Sequence, residues 1–123
     1  MKSRILCVDD EEQILMLYQN IFMDTGNEIY TASNGIDALI KVKELRPDIV
    51  LLDIAMPQMQ GNEALPLINE VDPNIAVIII SGYASEREAR ELLAQGAYDF
   101  LIKPIDMKYL CDIVELRCLE RES

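Results

Sequence analysis

The sequence predicts an α/β fold in which a doubly wound, five-stranded parallel sheet carries helices on both faces. Five short apolar runs alternate with five segments in which apolar residues recur at helical spacing. The runs are continuously apolar, which is typical of strands that are buried on both faces of a parallel sheet. Right-handed crossovers between such strands place helices on both sides of the sheet.

The first strand is predicted at Ile5–Val8, and it stops at the acidic run Asp9–Glu12. A helix follows, and Gly26 is placed to end it. A second strand is predicted over residues 28–32, followed by a helix that Pro47 closes. The residues predicted to face the core are Ile14, Leu17, Tyr18, Ile21 and Phe22 in the first helix, and Ile36, Leu39, Val42 and Leu45 in the second.

The third, fourth and fifth strands are predicted over residues 49–52, 75–80 and 98–102. Ser85 opens the fourth helix with capping-box spacing, and Asp106 can cap the fifth. The residues predicted to face the core in the last three helices are Ala64, Leu65, Ile68 and Val71, then Ala89, Leu92 and Leu93, then Met107, Leu110, Cys111 and Val114.

Length, charge and composition exclude several classes of function. A chain of 123 residues fits one domain, over residues 1–123. The net charge of −11, with no basic block, argues against direct nucleic-acid binding. The chain has no His, and its three scattered Cys residues fit a reducing cytosol better than a zinc site. No signal peptide or membrane-spanning stretch is present, so we expect a cytoplasmic protein without membrane contact.

Polar side chains follow the predicted strands at their carboxyl ends, where folds of this kind hold their sites. Asp9 and Asp10 follow the first strand, Asp53 the third, Ser81 the fourth and Lys103 the fifth. Two carboxylates about 4 Å apart repel by roughly 4 kcal/mol at an effective dielectric near 20, and a divalent cation removes that repulsion. Carboxylates and waters are the ligands that Mg²⁺ prefers. Asp53 can attack a phosphoryl group while the cation and Lys103 neutralise the phosphoryl oxygens.

Each of these residues, taken alone, also has an ordinary structural explanation. An Asp after a strand commonly caps the next helix, and Ser81 could cap the fourth helix in the same way. Lys103 could be a solvated surface lysine. A third Asp and a Lys at the ends of neighbouring strands favour the phosphoryl-transfer interpretation.

Four ordered motifs resemble the response-regulator receiver family over about residues 4–119. The resemblance implies the flavodoxin-like strand order 2-1-3-4-5. It also implies a phosphorylation-switched signalling module that catalyses only its own phosphorylation and dephosphorylation. The matching stretches are residues 5–11, residues 51–57 with Gly61, Ser81-Gly82, and residues 96–104.

The resemblance implies a role for each carboxylate. Asp53 would be the phosphoacceptor. Mg²⁺ would be bound directly by Asp10, by Asp53 and by the backbone carbonyl of Ala55, while Asp9 would act through water.

The resemblance also implies a switch. Lys103 would pair with the phosphoryl group, and its peptide bond to Pro104 would be cis. Ser81 would occupy the hydroxyl switch position and Phe100 the aromatic one. Ser81 would move toward the phosphoryl oxygen, Phe100 would turn inward, and the surface of the fourth helix, fifth strand and fifth helix would change.

Partners follow from the same resemblance. The phosphodonor would be a sensor histidine kinase, a phosphotransfer protein or a small acyl phosphate, since this chain has no His. The changed surface would control a downstream target or an output domain, and it would support a phosphorylation-dependent homodimer.

Three other functions are possible for a chain with these features. A haloacid-dehalogenase-type phosphatase needs a second Asp two residues after its nucleophile, where this chain has Ala55. A flavin carrier needs a Ser/Thr/Gly-rich loop after the first strand, whereas Asp9–Glu12 would repel a phosphate. The strongest alternative is a pseudo-receiver, which has the same fold and acts as a constitutive protein-binding module.

Overall fold

The strands and helices alternate along the chain as predicted. The computed structural model describes residues 3–54, 61–82 and 86–122, and in this part of the chain no helix is long and apolar enough to cross a membrane. The elements are β1 Arg4–Val8, α1 Glu12–Phe22, β2 Glu28–Ala32, α2 Gly35–Leu45, β3 Ile49–Asp53, α3 Gly61–Val71, β4 Ala76–Ser81, α4 Glu86–Ala94, β5 Asp99–Ile102 and α5 Met107–Glu122.

The five strands form one parallel sheet in the order β2-β1-β3-β4-β5, which confirms the expected topology. The three inner strands β1, β3 and β4 are the most apolar, because helices cover them on both faces. In register, Ile5 of β1 lies between Ile29 of β2 and Ile49 of β3. The connection from β2 to β3 passes β1, so the chain reverses direction across the sheet beside β1.

The alternation of side chains along each strand divides the core into two layers. One layer, the α1/α5 face, packs the sheet against α1 and α5, and the other, the α2/α3/α4 face, packs it against the remaining helices. Each large aliphatic side chain buried here stabilises the fold by about 1.5–3 kcal/mol. Strand residues on the α1/α5 face include Ile5, Cys7, Ile49, Leu51, Ile78 and Ile80, and those on the other face include Leu6, Val8, Val50, Leu52, Val77 and Ile79.

Three residues predicted to face the core are exposed instead. Leu17 is 39% exposed, Ile36 46% and Leu93 42%. Successive helical residues lie about 100° apart, so an apolar residue next to a buried one turns outward. The buried residues of these helices are Leu15, Tyr18 and Phe22 in α1, Gly35, Ala38 and Val42 in α2, and Leu92 in α4. Of these, Tyr18, Phe22, Val42 and Leu92 were predicted to face the core, whereas Leu15, Gly35 and Ala38 were not.

Five strand boundaries differ from prediction by one residue, because β1 begins at Arg4, β3 ends at Asp53, β4 begins and ends one residue later, and β5 begins one residue later. β4 begins at Ala76, because the Ile75 N–H closes a turn onto the Asp72 carbonyl (3.2 Å), and it includes Ser81. β5 begins at Asp99 rather than at Tyr98, since its pairing with β4 starts at Asp99.

Several helix ends were also predicted, and α2 ends at Leu45, two residues before Pro47. α1 ends at Phe22, and one 3₁₀ turn follows before Gly26 takes up a left-handed conformation with φ of 81°. Asp106 caps α5, because its side chain accepts hydrogen bonds from the N–H groups of Lys108 (3.0 Å) and Tyr109 (3.2 Å). The predicted cap at Ser85 lies outside the described residues.

Candidate phosphorylation site

Asp9, Asp53 and Lys103 leave the sheet on the α1/α5 face. Side chains alternate along a strand, so a residue two positions beyond a buried one lies on the same face. The N–H of Asp9 donates to the Ala32 carbonyl at 3.1 Å, which extends the β1–β2 ladder as far as Asp9. The buried residues two positions before Asp9, Asp53 and Lys103 are Cys7, Leu51 and Leu101.

Three carboxylates meet at the carboxyl edge of the sheet. One oxygen from each of Asp9, Asp10 and Asp53 lies within 4.8 Å of the other two. Asp9 is 1% exposed and Asp53 is 4% exposed, whereas Asp10 is open to solvent. β1 and β3 therefore bring Asp9 and Asp10 close to Asp53, which lies 43 or more positions further along the chain. The exposed Asp10 carboxylate keeps the cluster accessible to solvent.

Lys103 lies between the two buried carboxylates. Its Nζ is 3.5 Å from Oδ2 of Asp9 and 3.5 Å from Oδ2 of Asp53. Burial lowers the pKa of the Lys103 ammonium, but the charges of Asp53 and Asp9 outweigh burial and raise that pKa overall. Lys103 therefore stays protonated at neutral pH and serves as a fixed positive charge.

The ionised form of the Asp9 carboxyl group is electrostatically unfavourable. Burial raises the pKa of its carboxyl group, and the neighbouring charge of Asp53 raises it further. The N–H of Glu11, which donates to Asp9 Oδ1 at 2.9 Å, and the ammonium of Lys103 only partly offset these effects. Additional positive charge at this edge would stabilise the ionised form of Asp9.

The residues present fit a hard divalent cation. The cluster offers only oxygen ligands, and one ammonium group leaves three carboxylates incompletely neutralised. Mg²⁺ binds through one or two carboxylates and keeps several of its waters, which matches a cluster with one open side. Asp10 and Asp53 can supply carboxylate ligands. The predicted third ligand, the backbone carbonyl of Ala55, lies outside the described residues.

The two predicted switch residues lie on the opposite, α2/α3/α4 face. Ser81 ends β4 two residues after Ile79 and is 1% exposed. Phe100 is half-buried and packs against the core of that face. The Lys103 N–H donates to the Ser81 carbonyl at 2.7 Å, and the Lys103–Pro104 peptide bond is cis. β5 therefore carries Lys103 to the carboxylate side and Phe100 to the Ser81 side.

One polar residue near the site was predicted only as part of the helical core. Tyr18 of α1 is 1% exposed, and its hydroxyl has no hydrogen-bond partner among the described residues. Helical periodicity places its ring correctly in the core, but periodicity takes no account of a hydroxyl at the end of the ring. The alternation along β1 puts Cys7 and Asp9 on the face that α1 covers. That alternation could have predicted that a buried Tyr of α1 lies on the same side of the sheet as Asp9.

Comparison with known proteins agrees with this geometry. Residues 5–115 match the model of the response regulator receiver domain family. The chain is 39% identical over 121 residues to the regulatory protein AtoC of Escherichia coli, covering 98% of this chain and 26% of AtoC. It is 40% identical over 105 residues to the chemotaxis protein CheY of Thermotoga maritima, covering 85% of this chain and 88% of CheY.

A solved structure supports the same assignment. The CheY-like receiver domain protein from Methanospirillum hungatei superposes with a TM-score of 0.93 at 30% sequence identity, covering 99% of this chain and 98% of that one. The chain thus matches nearly all of CheY but only about a quarter of AtoC. The family match over most of the chain, the strand order and the acidic edge of the sheet agree, and the chain belongs to the response regulator receiver domain family.

Proposed function

We propose that this chain is a phosphorylation-switched signalling receiver that takes a phosphoryl group onto Asp53 in the presence of Mg²⁺. The observation that carries the proposal is the convergence of Asp9, Asp10 and Asp53 with Lys103 at one edge of the sheet. Structural caps alone do not account for two buried carboxylates that share one ammonium group, because burying such charges costs free energy that a cap does not require.

The chemistry follows from the roles of these residues. A carboxylate oxygen of Asp53 forms the new bond to phosphorus as the bond from phosphorus to the donor's imidazole nitrogen or acyl oxygen breaks. The leaving atom keeps the electron pair of the broken bond. Lys103, which remains protonated, holds the phosphoryl oxygens. Asp10 and Asp53 would hold Mg²⁺, which would supply the remaining neutralisation of charge.

The switch uses the other face of the sheet. Ser81 ends β4, the strand that pairs with the β3 strand of Asp53, and its hydroxyl is proposed to donate to a phosphoryl oxygen, while Phe100 packs on the α2/α3/α4 face. A shift of a two-state equilibrium from 1:99 to 99:1 needs about 5.5 kcal/mol of differential interaction. Charge-assisted hydrogen bonds to the phosphoryl group, at about 1.5–3 kcal/mol each, are of the right size for this shift.

The output surface is proposed to be the α4–β5–α5 surface, defined by Leu93, Ile102 and Tyr109. These apolar side chains are 42%, 57% and 44% exposed on three neighbouring elements. Exposed apolar side chains around an edge strand favour a protein partner. We propose that it binds a downstream target, an output domain or a second copy of this chain. A histidine kinase or phosphotransfer protein in the cytoplasm is the proposed phosphodonor.

The proposal is tested by intact mass after incubation of the chain with acetyl phosphate and Mg²⁺. We expect one phosphoryl adduct in the wild type and in the Asp112→Asn variant, which removes an exposed carboxylate of α5. EDTA and the Asp53→Asn variant should each abolish the adduct, because the cation and the nucleophile are then missing.

Either of two results would contradict the proposal. An adduct on Asp53→Asn would place the phosphoryl group elsewhere. No adduct on a folded wild-type chain, either from acetyl phosphate or from a phosphohistidine donor protein, would favour the pseudo-receiver.

A further inference from the structure

The hydroxyl group of Tyr18 is a polar group buried in the core. Tyr18 lies in the middle of α1, is 1% exposed and packs on the α1/α5 face. Its hydroxyl has no hydrogen-bond partner among the described residues. Leaving a buried hydroxyl unpaired costs free energy, and a Phe ring would fill the same space without that cost.

The position of Tyr18 in α1 indicates that its hydroxyl lies on the side of the acidic cluster. Side chains on a helix slant toward its N-terminus, and α1 begins at Glu12, three residues after Asp9. A side chain with this slant is directed toward the carboxyl edge of the sheet, which agrees with the effect of the Asp9 and Asp53 charges on the Tyr18 hydroxyl. Asp9 and Asp53 leave the sheet on the face that α1 covers, so they lie on the same side as this ring.

The electrostatics of Tyr18 agree with this placement. Burial raises the pKa of the Tyr18 hydroxyl, and the charges of Asp9, Cys7 and Asp53 raise it further. The hydroxyl therefore remains neutral at physiological pH, and it does not add a negative charge beneath the carboxylates. A neutral hydroxyl can donate one hydrogen bond and accept others.

We propose that Tyr18 is a positioning residue of the cation site, and that its hydroxyl stabilises the carboxylates of Asp9 and Asp53 from the core side when a divalent cation is bound. A hydroxyl suits this place because it can donate to a carboxylate and accept from a cation-bound water. Partners of metal ligands act in the same way in other proteins, where their loss weakens metal binding by about 10–100-fold. The inference rests on the proposed function, since it assumes that the carboxylate cluster binds Mg²⁺.

Calorimetric titration of the unphosphorylated chain with MgCl₂ tests the inference. Tyr18→Phe removes only the oxygen, and we expect it to weaken Mg²⁺ binding about tenfold. Tyr30→Phe is the matched control, because the Tyr30 hydroxyl already has a partner in Glu28 (3.0 Å). We expect that variant to bind Mg²⁺ like the wild type. Thermal unfolding of Tyr18→Phe in EDTA should match or exceed that of the wild type, since this variant removes a buried hydroxyl that has no partner among the described residues. Tyr30→Phe, which loses a hydrogen bond to Glu28, should be slightly less stable than the wild type.

The outcomes are distinguishable. Tyr18→Phe with wild-type affinity for Mg²⁺ would overturn the role of Tyr18 and leave the proposed function standing. Weaker binding together with lower stability in EDTA would assign Tyr18 a structural role and overturn the inference. A folded wild-type chain that binds no Mg²⁺ would overturn both the inference and the proposed function.

Discussion

At the residue scale, the Asp9 carboxyl group lowers the stability of the fold at a position where it can serve the functional site. It is 1% exposed and lies beside the charge of Asp53, and both conditions disfavour its ionised form. One N–H from Glu11 and the ammonium of Lys103 compensate in part. Without a cation, the folded state therefore carries a carboxylate that a neutral side chain would improve.

We expect Asp9→Asn to stabilise the chain in EDTA at pH 7, by on the order of 1 kcal/mol, because the lost attraction to Lys103 offsets part of the relieved repulsion. The pKa of Asp9 is raised in the folded state, so the folded chain binds this proton more tightly than the unfolded chain does. The stabilisation by that proton is complete at acid pH and disappears as pH rises through the raised pKa. The advantage of Asp9→Asn should therefore be larger at pH 7 than at about pH 4.

Urea unfolding at both pH values measures this difference. Asp112→Asn, at an exposed position of α5, serves as the control and should change the free energy of unfolding little. A less stable Asp9→Asn at pH 7 would show that Asp9 is stabilising without a cation.

At the scale of elements, α5 is attached to the rest of the molecule at both ends. Asp106 caps its first turn. Near its last turns, the Arg117 guanidinium lies 5.6 Å from the centre of the Tyr98 ring and donates to the Asn74 carbonyl at 2.7 Å. Arg121 contacts the Asp48 carboxylate at 3.0 Å. These contacts fasten α5 to the amino edge of the sheet, opposite the acidic cluster.

The capping of α5 by Asp106 can be tested separately from the effect of the negative charge of Asp106. Asp106→Ala leaves two N–H groups of the first turn without an acceptor, and we expect it to lower the free energy of unfolding by about 1 kcal/mol. Asp112→Ala removes an acidic residue of the same helix that makes an exposed ion pair with Lys108, and it should cost less than about 0.5 kcal/mol. Chemical denaturation compares the two variants. Equal losses would show that charge rather than capping accounts for the effect of Asp106.

At the scale of the whole molecule, β5 is one of the two edge strands of the sheet. Among the described strands it pairs with β4, and Ile102 at its end is 57% exposed. Leu93 of α4 and Tyr109 of α5 are also exposed. An exposed apolar edge favours association, while the net charge of −11 opposes the approach of two like copies. A dimer on this surface therefore requires a change such as the one that phosphorylation is proposed to bring.

Sedimentation velocity before and after beryllofluoride treatment tests this dimer. We expect a monomer in the untreated chain and a dimer in the treated chain. Ile102→Lys should keep the treated chain monomeric, because it places a charge in the apolar surface. Ile40→Lys, at a 49% exposed position of α2 on another side of the molecule, should leave the dimer intact. A treated wild-type chain that remains monomeric would exclude the dimer.

Much of the fold was determined by local patterns in the sequence. The apolar runs of β1, β3 and β4 appear as continuous buried strands because helices cover both faces of the inner sheet. The amphipathic helices were located by period, but Leu17, Ile36 and Leu93 were assigned to the wrong face. Period defines an apolar stripe only to within about one residue, and the packing of α1, α2 and α4 against the sheet decides which edge of the stripe is buried.

The functional site, like the fold, was predicted in part from the sequence and in part depends on tertiary packing. The sequence by itself determined which residue types follow which strands, so Asp9, Asp10, Asp53, Ser81 and Lys103 could be named without a structure. Only the tertiary structure decided that the carboxylates and Lys103 share one face, and that the Tyr18 hydroxyl is buried on that side without a partner in the described part of the chain. Burial and pairing depend on side chains brought together from distant parts of the chain, and no local pattern contains that information.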